Sequence, residues 1–179
     1  MPRNWEEHYA VAGNLDFVPA PLLVEVASML SPGRALDLAC GAGRNALYLA
    51  SLGWDVVAVD SSSSAIRILR ERAAKEQLLI RAYTSDLETD AFPIEPAGFD
   101  LICDFLYLQR DLFPHIRDGV RPGGLFVAEI HLRDANPRRF VLEAGELRAE
   151  FSDWKILHYS EARRPGQGSP TAQIVARRA

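Results

Sequence analysis

With 179 residues, 48% of them hydrophobic and 25% charged, the chain suits one globular domain, which typically takes about 100–200 residues. A disordered tail, a fibrous protein and a disulfide-stapled miniprotein are all excluded. Twenty Lys+Arg against 24 Asp+Glu leave a net charge of −4, whereas a duplex-binding domain needs a basic balance, so no nucleic-acid partner is expected. The first ten residues carry charges and no apolar signal core, and Cys40 and Cys103 lie in apolar stretches, which together predict a cytoplasmic protein. No apolar run approaches the about 18–20 residues of a membrane span, so no membrane partner is expected either.

After an N-terminal arm, the stripe Leu22, Leu23, Val26, Ala27 and Leu30 predicts a helix over Pro21 to Leu30, stopped by Ser31-Pro32-Gly33. A strand over Ala35 to Ala39, a helix over Asn45 to Leu52 and a strand over Asp55 to Val59 make a βαβ unit. Ser61 to Ser64 offer N-cap hydroxyls to a helix through Ala65, Ile66, Leu69 and Ala73, followed by a strand over Leu79 to Thr84. The alternation continues with a strand over Asp100 to Leu106, a helix over Leu112 to Val120 closed by Arg121-Pro122-Gly123-Gly124, and a strand over Leu125 to Ile130. Leu142 to Phe151 reads as a helix. Lys155 to Tyr159 and Ala172 to Ala176 alternate as strands joined by the Pro165 to Pro170 loop. Strands alternating with helices imply an α/β protein with a mostly parallel sheet, and the last two strands imply antiparallel pairing at one edge.

In such a sheet, ligands lie beyond the carboxyl ends of the strands, beside the loop after the first strand. That loop is Cys40-Gly41-Ala42-Gly43-Arg44-Asn45, and Gly41 to Ala46 satisfies the G-x-G-x-x-A dinucleotide pattern. Asp60 closes the second strand 17 residues beyond Gly43, where a carboxylate accepts both hydroxyl protons of a ribose. An adenosine-type ligand follows; the plainer alternative is a tight turn, with Asp60 capping the serine-rich helix. Asp37 separates the cofactor classes. An acid two residues before the loop repels phosphates and favours a cation such as the sulfonium of S-adenosylmethionine, although it also suits a buried carboxylate pinning loop amides.

The run from Ala35 to Ala50 (Ala35-Leu36-Asp37-Leu38-Ala39-Cys40-Gly41-Ala42-Gly43-Arg44-Asn45-Ala46-Leu47-Tyr48-Leu49-Ala50), then Gly53 to Asp60 and Arg121-Pro122-Gly123-Gly124, resembles the class I S-adenosylmethionine-dependent methyltransferases. In detail it is similar to their small bacterial members related to the tellurite-resistance methyltransferase. The resemblance implies a Rossmann-like methyltransferase fold with a mostly parallel seven-stranded sheet, an antiparallel edge strand and helices on both faces. It also implies one domain over residues 1–179, whose residues 1–30 form an arm and helix covering the donor. It implies that the donor S-adenosyl-L-methionine contacts Asp37, Ala39, Gly41, Gly43, Asn45, Asp60, Ser61, Asp86, Leu87 and Asp104, with Tyr9 of Trp5-Glu6-Glu7-His8-Tyr9 above it. Ala39 departs from the family, which often carries its first glycine there.

After the fourth strand the chain reads Cys103-Asp104-Phe105-Leu106-Tyr107-Leu108, without the Asn/Asp-Pro-Pro-aromatic element that methyltransferases acting on base or glutamine amines share. A small-molecule acceptor with an oxygen, sulfur, nitrogen or metalloid nucleophile is therefore expected. Asp104 is the candidate to face the transferring methyl, and Tyr107 and His131 are candidate substrate contacts. The expected reaction is an in-line displacement that needs no nucleophilic residue. No metal site is expected from two cysteines without histidine at ligand spacing. Arginines at 138, 139, 163, 164, 177 and 178 make either a basic rim for an anionic substrate or solvated loop charges. Two competing functions stand beside this reading. One is an NAD-dependent oxidoreductase, disfavoured because no Tyr-x-x-x-Lys pair occurs; the other is a non-catalytic S-adenosylmethionine-binding protein. Both a monomer and a homodimer fit the sequence.

Overall fold

The structure is a computed structural model that describes residues 4–10, 15–89, 92–135, 140–163 and 168–179. The chain divides into two compact units, Met1–Pro93 and Ile94–Ala179.

The first unit contains, in chain order, α1 (Trp5–Ala10), α2 (Pro21–Ala27), β1 (Arg34–Leu38), α3 (Arg44–Ser51), β2 (Asp55–Asp60), α4 (Ser63–Lys75), β3 (Ile80–Thr84) and a 3-10 turn at Leu87–Thr89. β1 pairs with β2 and β2 with β3, both parallel, with Leu36 opposite Val57 and Val57 opposite Arg81. β1 and β2 are buried along nearly their whole length, as parallel strands covered on both faces must be. β3 buries only Ala82, and the ion pair Arg81–Asp55 (2.7 Å) crosses its outer register. α2 begins at Pro21, whose missing N–H costs nothing at a helix start, and it ends at Ala27, three residues short of the apolar stripe. α4 is capped by Ser62, whose hydroxyl accepts the Ala65 amide at 3.1 Å.

The second unit contains β4 (Phe99–Phe105), α5 (Leu112–Gly119), β5 (Val120–His131), α6 (Glu146–Glu150), β6 (Lys155–Ala162) and β7 (Thr171–Arg177). β4 and β5 are parallel; β7 runs antiparallel to both β5 and β6. Phe151 anchors the aromatic core, stacked on Phe126 at 4.7 Å and edge-on to Phe113 and Trp154. The fold is α/β, with neighbouring strands in the order β3-β2-β1 in the first unit and β4-β5-β7-β6 in the second. Among the described residues no helix is long and apolar enough to cross a membrane.

Two expectations about the second unit change. Arg121-Pro122-Gly123-Gly124 lies inside the residue range of β5. Gly123, at φ 80°, turns there so that its amide reaches the Arg178 carbonyl, and the pairing with β4 shifts register between Phe99 and Leu101. The helix expected over Leu142 to Phe151 shrinks to α6. Leu142 extends the pairing instead, its amide donating to the His131 carbonyl and its own carbonyl accepting the Arg133 amide, and Gly145 at φ 78° delays the helix start. Residues 165–167 of the expected Pro165 to Pro170 loop, and the arginines at 138, 139 and 164, lie outside the described residues.

Candidate functional site

The first unit gathers its polar groups at the carboxyl ends of β1 and β2. β1 ends at Leu38, and the chain then turns through Ala39 (φ 49°), Gly41 (φ 55°) and Gly43 (φ 87°) before α3 begins. Ala39 therefore occupies the left-handed region that glycine enters without strain, which is the physical reason a glycine suits that position. The Cys40 amide donates to the Val59 carbonyl (3.0 Å), so the loop is held against the end of β2.

Asp60 closes β2 and ties the loop to the next helix. Its Oδ2 accepts the Gly41 amide and its Oδ1 accepts the Ser62 amide, each at 2.8 Å, with the side chain buried. Burial pushes this carboxyl above its usual range; the two amide hydrogen bonds pull it down and the Glu6 charge pushes it up. Asp60 thus pins a loop amide and supports the serine turn, but the cap of α4 is Ser62 and not Asp60, the residue to which the plainer reading of the sequence gives that role. Asp37 is buried in β1 opposite Ala58. Burial drives the Cys40 thiol well up, and the charges of Asp37 and Asp60 push in the same direction, so the loop lies in a negative field.

Asn45 is buried in the first turn of α3, and its Oδ1 accepts the Ala20 amide at 2.9 Å, tying the entry of α2 to the loop. Ser61 is exposed between β2 and the cap. Beyond β3, the Ser85 amide donates to the Asp60 carbonyl (3.0 Å). Asp86 Oδ1 accepts the Glu88 amide (2.9 Å), shaping a turn that buries Leu87.

Tyr9 lies over this loop. A Cβ added to Gly41 would overlap the Tyr9 hydroxyl, so glycine is the residue that admits the ring. Burial, with the Asp60 charge behind it, pushes the Tyr9 hydroxyl up to about 12. The residue that sequence reasoning missed is Glu6, one turn earlier on α1. Its carboxylate accepts from the hydroxyls of Ser62 (2.7 Å), Ser63 (3.0 Å) and Ser64 (2.6 Å) and from the Ser64 amide (3.2 and 3.3 Å to its two oxygens). These bonds hold its carboxyl at about 2. The serine run was visible as a cap signal, but nothing local in the sequence linked it to a carboxylate more than fifty residues away.

In the second unit Asp104 is buried in β4 opposite Ala128, and His131 ends β5, half-buried, opposite Thr171. Tyr107 is half-buried in the connection between β4 and α5. Beside His131 lies a buried trio absent from the sequence expectations: the Glu129 carboxylate accepts from Thr171 Oγ1 (3.0 Å) and Gln173 Nε2 (2.8 Å). Of the arginines at issue, Arg163 pairs with Asp134 (3.6 Å) and Arg178 donates to the carbonyls of Asp118 and Val120.

Comparison with known proteins places this geometry in a family. Residues 6–167 match the family model "Tellurite resistance protein TehB". The chain is 34% identical over 151 residues to a "Probable S-adenosyl-L-methionine-dependent methyltransferase TehB" of Haemophilus influenzae, covering 78% of this chain and 52% of that protein. It is 35% identical over 147 residues to "Hemagglutinin 1" of Eikenella corrodens, covering 77% of this chain and 49% of that one. It spans about half the length of these curated relatives. Among solved structures, the crystal structure of TehB from Haemophilus influenzae superposes with a TM-score of 0.80 at 26% identity, over 98% of this chain and 67% of that chain.

Proposed function

We infer the activity from the premise that this chain belongs to the TehB tellurite resistance family: it is an S-adenosylmethionine-dependent methyltransferase acting on a small-molecule nucleophile. The observation that carries the reading is the Asp60 carboxylate, buried at the end of β2 and bonded to the glycine loop. Each of its oxygens holds one backbone amide, and a carboxylate has about four acceptor positions, which leaves capacity for two ribose hydroxyls. The residues present therefore fit the donor.

On this reading Asp60 and Ser61 hold the ribose, Asp86 and Leu87 the adenine, and Ala39, Gly41 and Gly43 the methionine portion. Asp37 supplies charge complementary to a sulfonium, Asn45 braces the loop through Ala20, and Tyr9 covers it. Asp104, Tyr107 and His131, on the second unit, are our candidates for acceptor handling; Asp104 is the carboxylate we assign to the transferring methyl. The donor supplies a methyl already activated on sulfonium. The task of this chain is then positioning, worth about 7–11 kcal/mol, and an in-line displacement requires no protein nucleophile. The absence of proline from Cys103-Asp104-Phe105-Leu106 and the net charge of −4 support a small acceptor over a nucleic acid. We read residues 1–179 as one methyltransferase domain working in the cytoplasm.

The test is thermal unfolding of the purified chain alone, with S-adenosylmethionine, with S-adenosylhomocysteine and with NAD. A ligand at 100 times its Kd adds about 2.7 kcal/mol and raises the midpoint of a domain this size by about 5–10 °C. A rise with the two adenosyl ligands alone is expected. A rise with NAD alone would overturn the reading of Asp37 and favour an oxidoreductase.

A further inference from the structure

We propose that Glu6 is a positioning residue for donor retention: by gripping the serines at the head of α4, it holds Tyr9 against the glycine loop. The inference rests on the reading of that loop as the donor cradle.

α1 has six residues and buries none of them, so it is too short to persist on helical propensity alone. Its place over the loop depends on anchors. Glu6 and Tyr9 are three residues apart, hence on one face of the helix. Glu6 grips Ser62, Ser63 and Ser64, at the positive end of the α4 dipole, where a carboxylate is favoured. Tyr9 reaches Gly41 and is steadied by a stacked contact with Trp5 (6.2 Å) and an edge contact with His8 (5.1 Å).

The contacts close into a ring. Gly41 donates to Asp60, Asp60 accepts the Ser62 amide, Ser62 donates its hydroxyl to Glu6, and Glu6 shares a short helix with Tyr9, which packs back on Gly41. The carboxylate assigned to the ribose and the grip on the arm thus share one residue, Ser62. Its hydroxyl has a single proton, given to Glu6, while its oxygen accepts the Ala65 amide, so the serine serves helix and arm together. Loss of Glu6 frees the arm and leaves the α4 cap in place, which separates donor release from global stability.

The experiment follows S-adenosylhomocysteine release by displacement in the full chain and in Glu6→Ala, Glu6→Gln, Tyr9→Ala and the double variant Glu6→Ala/Tyr9→Ala. Release accelerates about tenfold in Glu6→Ala, as expected for loss of hydrogen bonds to a charged group, and by less in Glu6→Gln, which keeps one acceptor oxygen. The double variant releases no faster than Tyr9→Ala, because one residue acts through the other. Iodide quenching of Trp5, exposed while Trp54 and Trp154 are buried, rises in Glu6→Ala, and the unliganded thermal midpoint stays within about 2 °C. Unchanged release in Glu6→Ala, or additive effects in the double variant, overturns the inference and leaves the donor reading standing. Failure of the unaltered chain to bind either adenosyl ligand overturns the donor reading and the inference with it.

Discussion

The Gly41 amide donates to Asp60 Oδ2 across 2.8 Å, joining the loop after the first strand to the last residue of the second. One side chain therefore shapes the cradle and offers the carboxylate that we assign to the ribose, so its loss has two separable effects. In Asp60→Ala the Gly41 and Ser62 amides lose their buried acceptor, costing about 1–3 kcal/mol of stability, and S-adenosylhomocysteine binding weakens by a further 1.5–3 kcal/mol or about 10–150-fold. Urea unfolding and calorimetric titration measure the two; binding within threefold of the unaltered chain would remove Asp60 from the donor contacts.

The two carboxylates joined through Ser62 titrate with opposite signs. Glu6 falls from 4.5 to about 2 on folding, so the unfolded chain binds more protons between those values; its stabilising contribution is present above pH 4.5 and lost as pH falls towards 2. Asp60 is raised above 3.8 by burial, so the folded chain binds more protons there, and the contribution of Asp60 falls as pH rises through that window. Between pH 3 and 5 the midpoint of Glu6→Gln is expected to vary less steeply with pH than that of the unaltered chain, and that of Asp60→Asn more steeply. Unfolding series at stepped pH decide it; identical slopes in all three proteins would contradict both assignments.

Ala39 at φ 49° sits where an L side chain costs about 1–2 kcal/mol. Ala39→Gly removes that strain but adds about 0.5–1 kcal/mol of unfolded-state entropy, so the net change is a gain of at most about 1.5 kcal/mol. Gly41→Ala acts the other way, adding strain at φ 55° and displacing the Tyr9 hydroxyl. Denaturant midpoints of the pair should move in opposite directions, and a lower midpoint for Ala39→Gly would refute the strain argument.

In the second unit Thr171→Val deprives the buried Glu129 carboxylate of one donor while keeping the shape of the side chain, costing about 1–3 kcal/mol. Ser160→Ala, on the outer strand, removes a 3.5 Å contact to Gln173 and is expected to cost less than about 0.5 kcal/mol. Equal midpoints for the two variants would show that Glu129 does not depend on Thr171.

The alternation of elements was legible because buried parallel strands read as short apolar runs, as in Val56 to Val59, and covering helices show a 3.6-residue period. The glycine loop and Asp60 were legible for a related reason: a tight turn and an acid at the end of the next strand are local demands that fall at fixed spacing. Element ends were less so. Leu142 has the apolar character of a helix position, yet its backbone groups bond to His131 and Arg133, and only the neighbouring strand makes that the better partner.

By itself, then, the sequence determined which residues turn, which span the sheet and which acids stand at strand ends, because each follows from backbone conformation and hydrophobic period within a few residues. Tertiary structure alone decided that Asn45 spends its amide oxygen on Ala20, that Glu129 is answered by Thr171 and Gln173, and that Glu6 grips serines 56 to 58 residues away. Those pairings depend on which elements the packed core brings together, and a hydroxyl or carboxylate carries no mark of its distant partner in the chain around it.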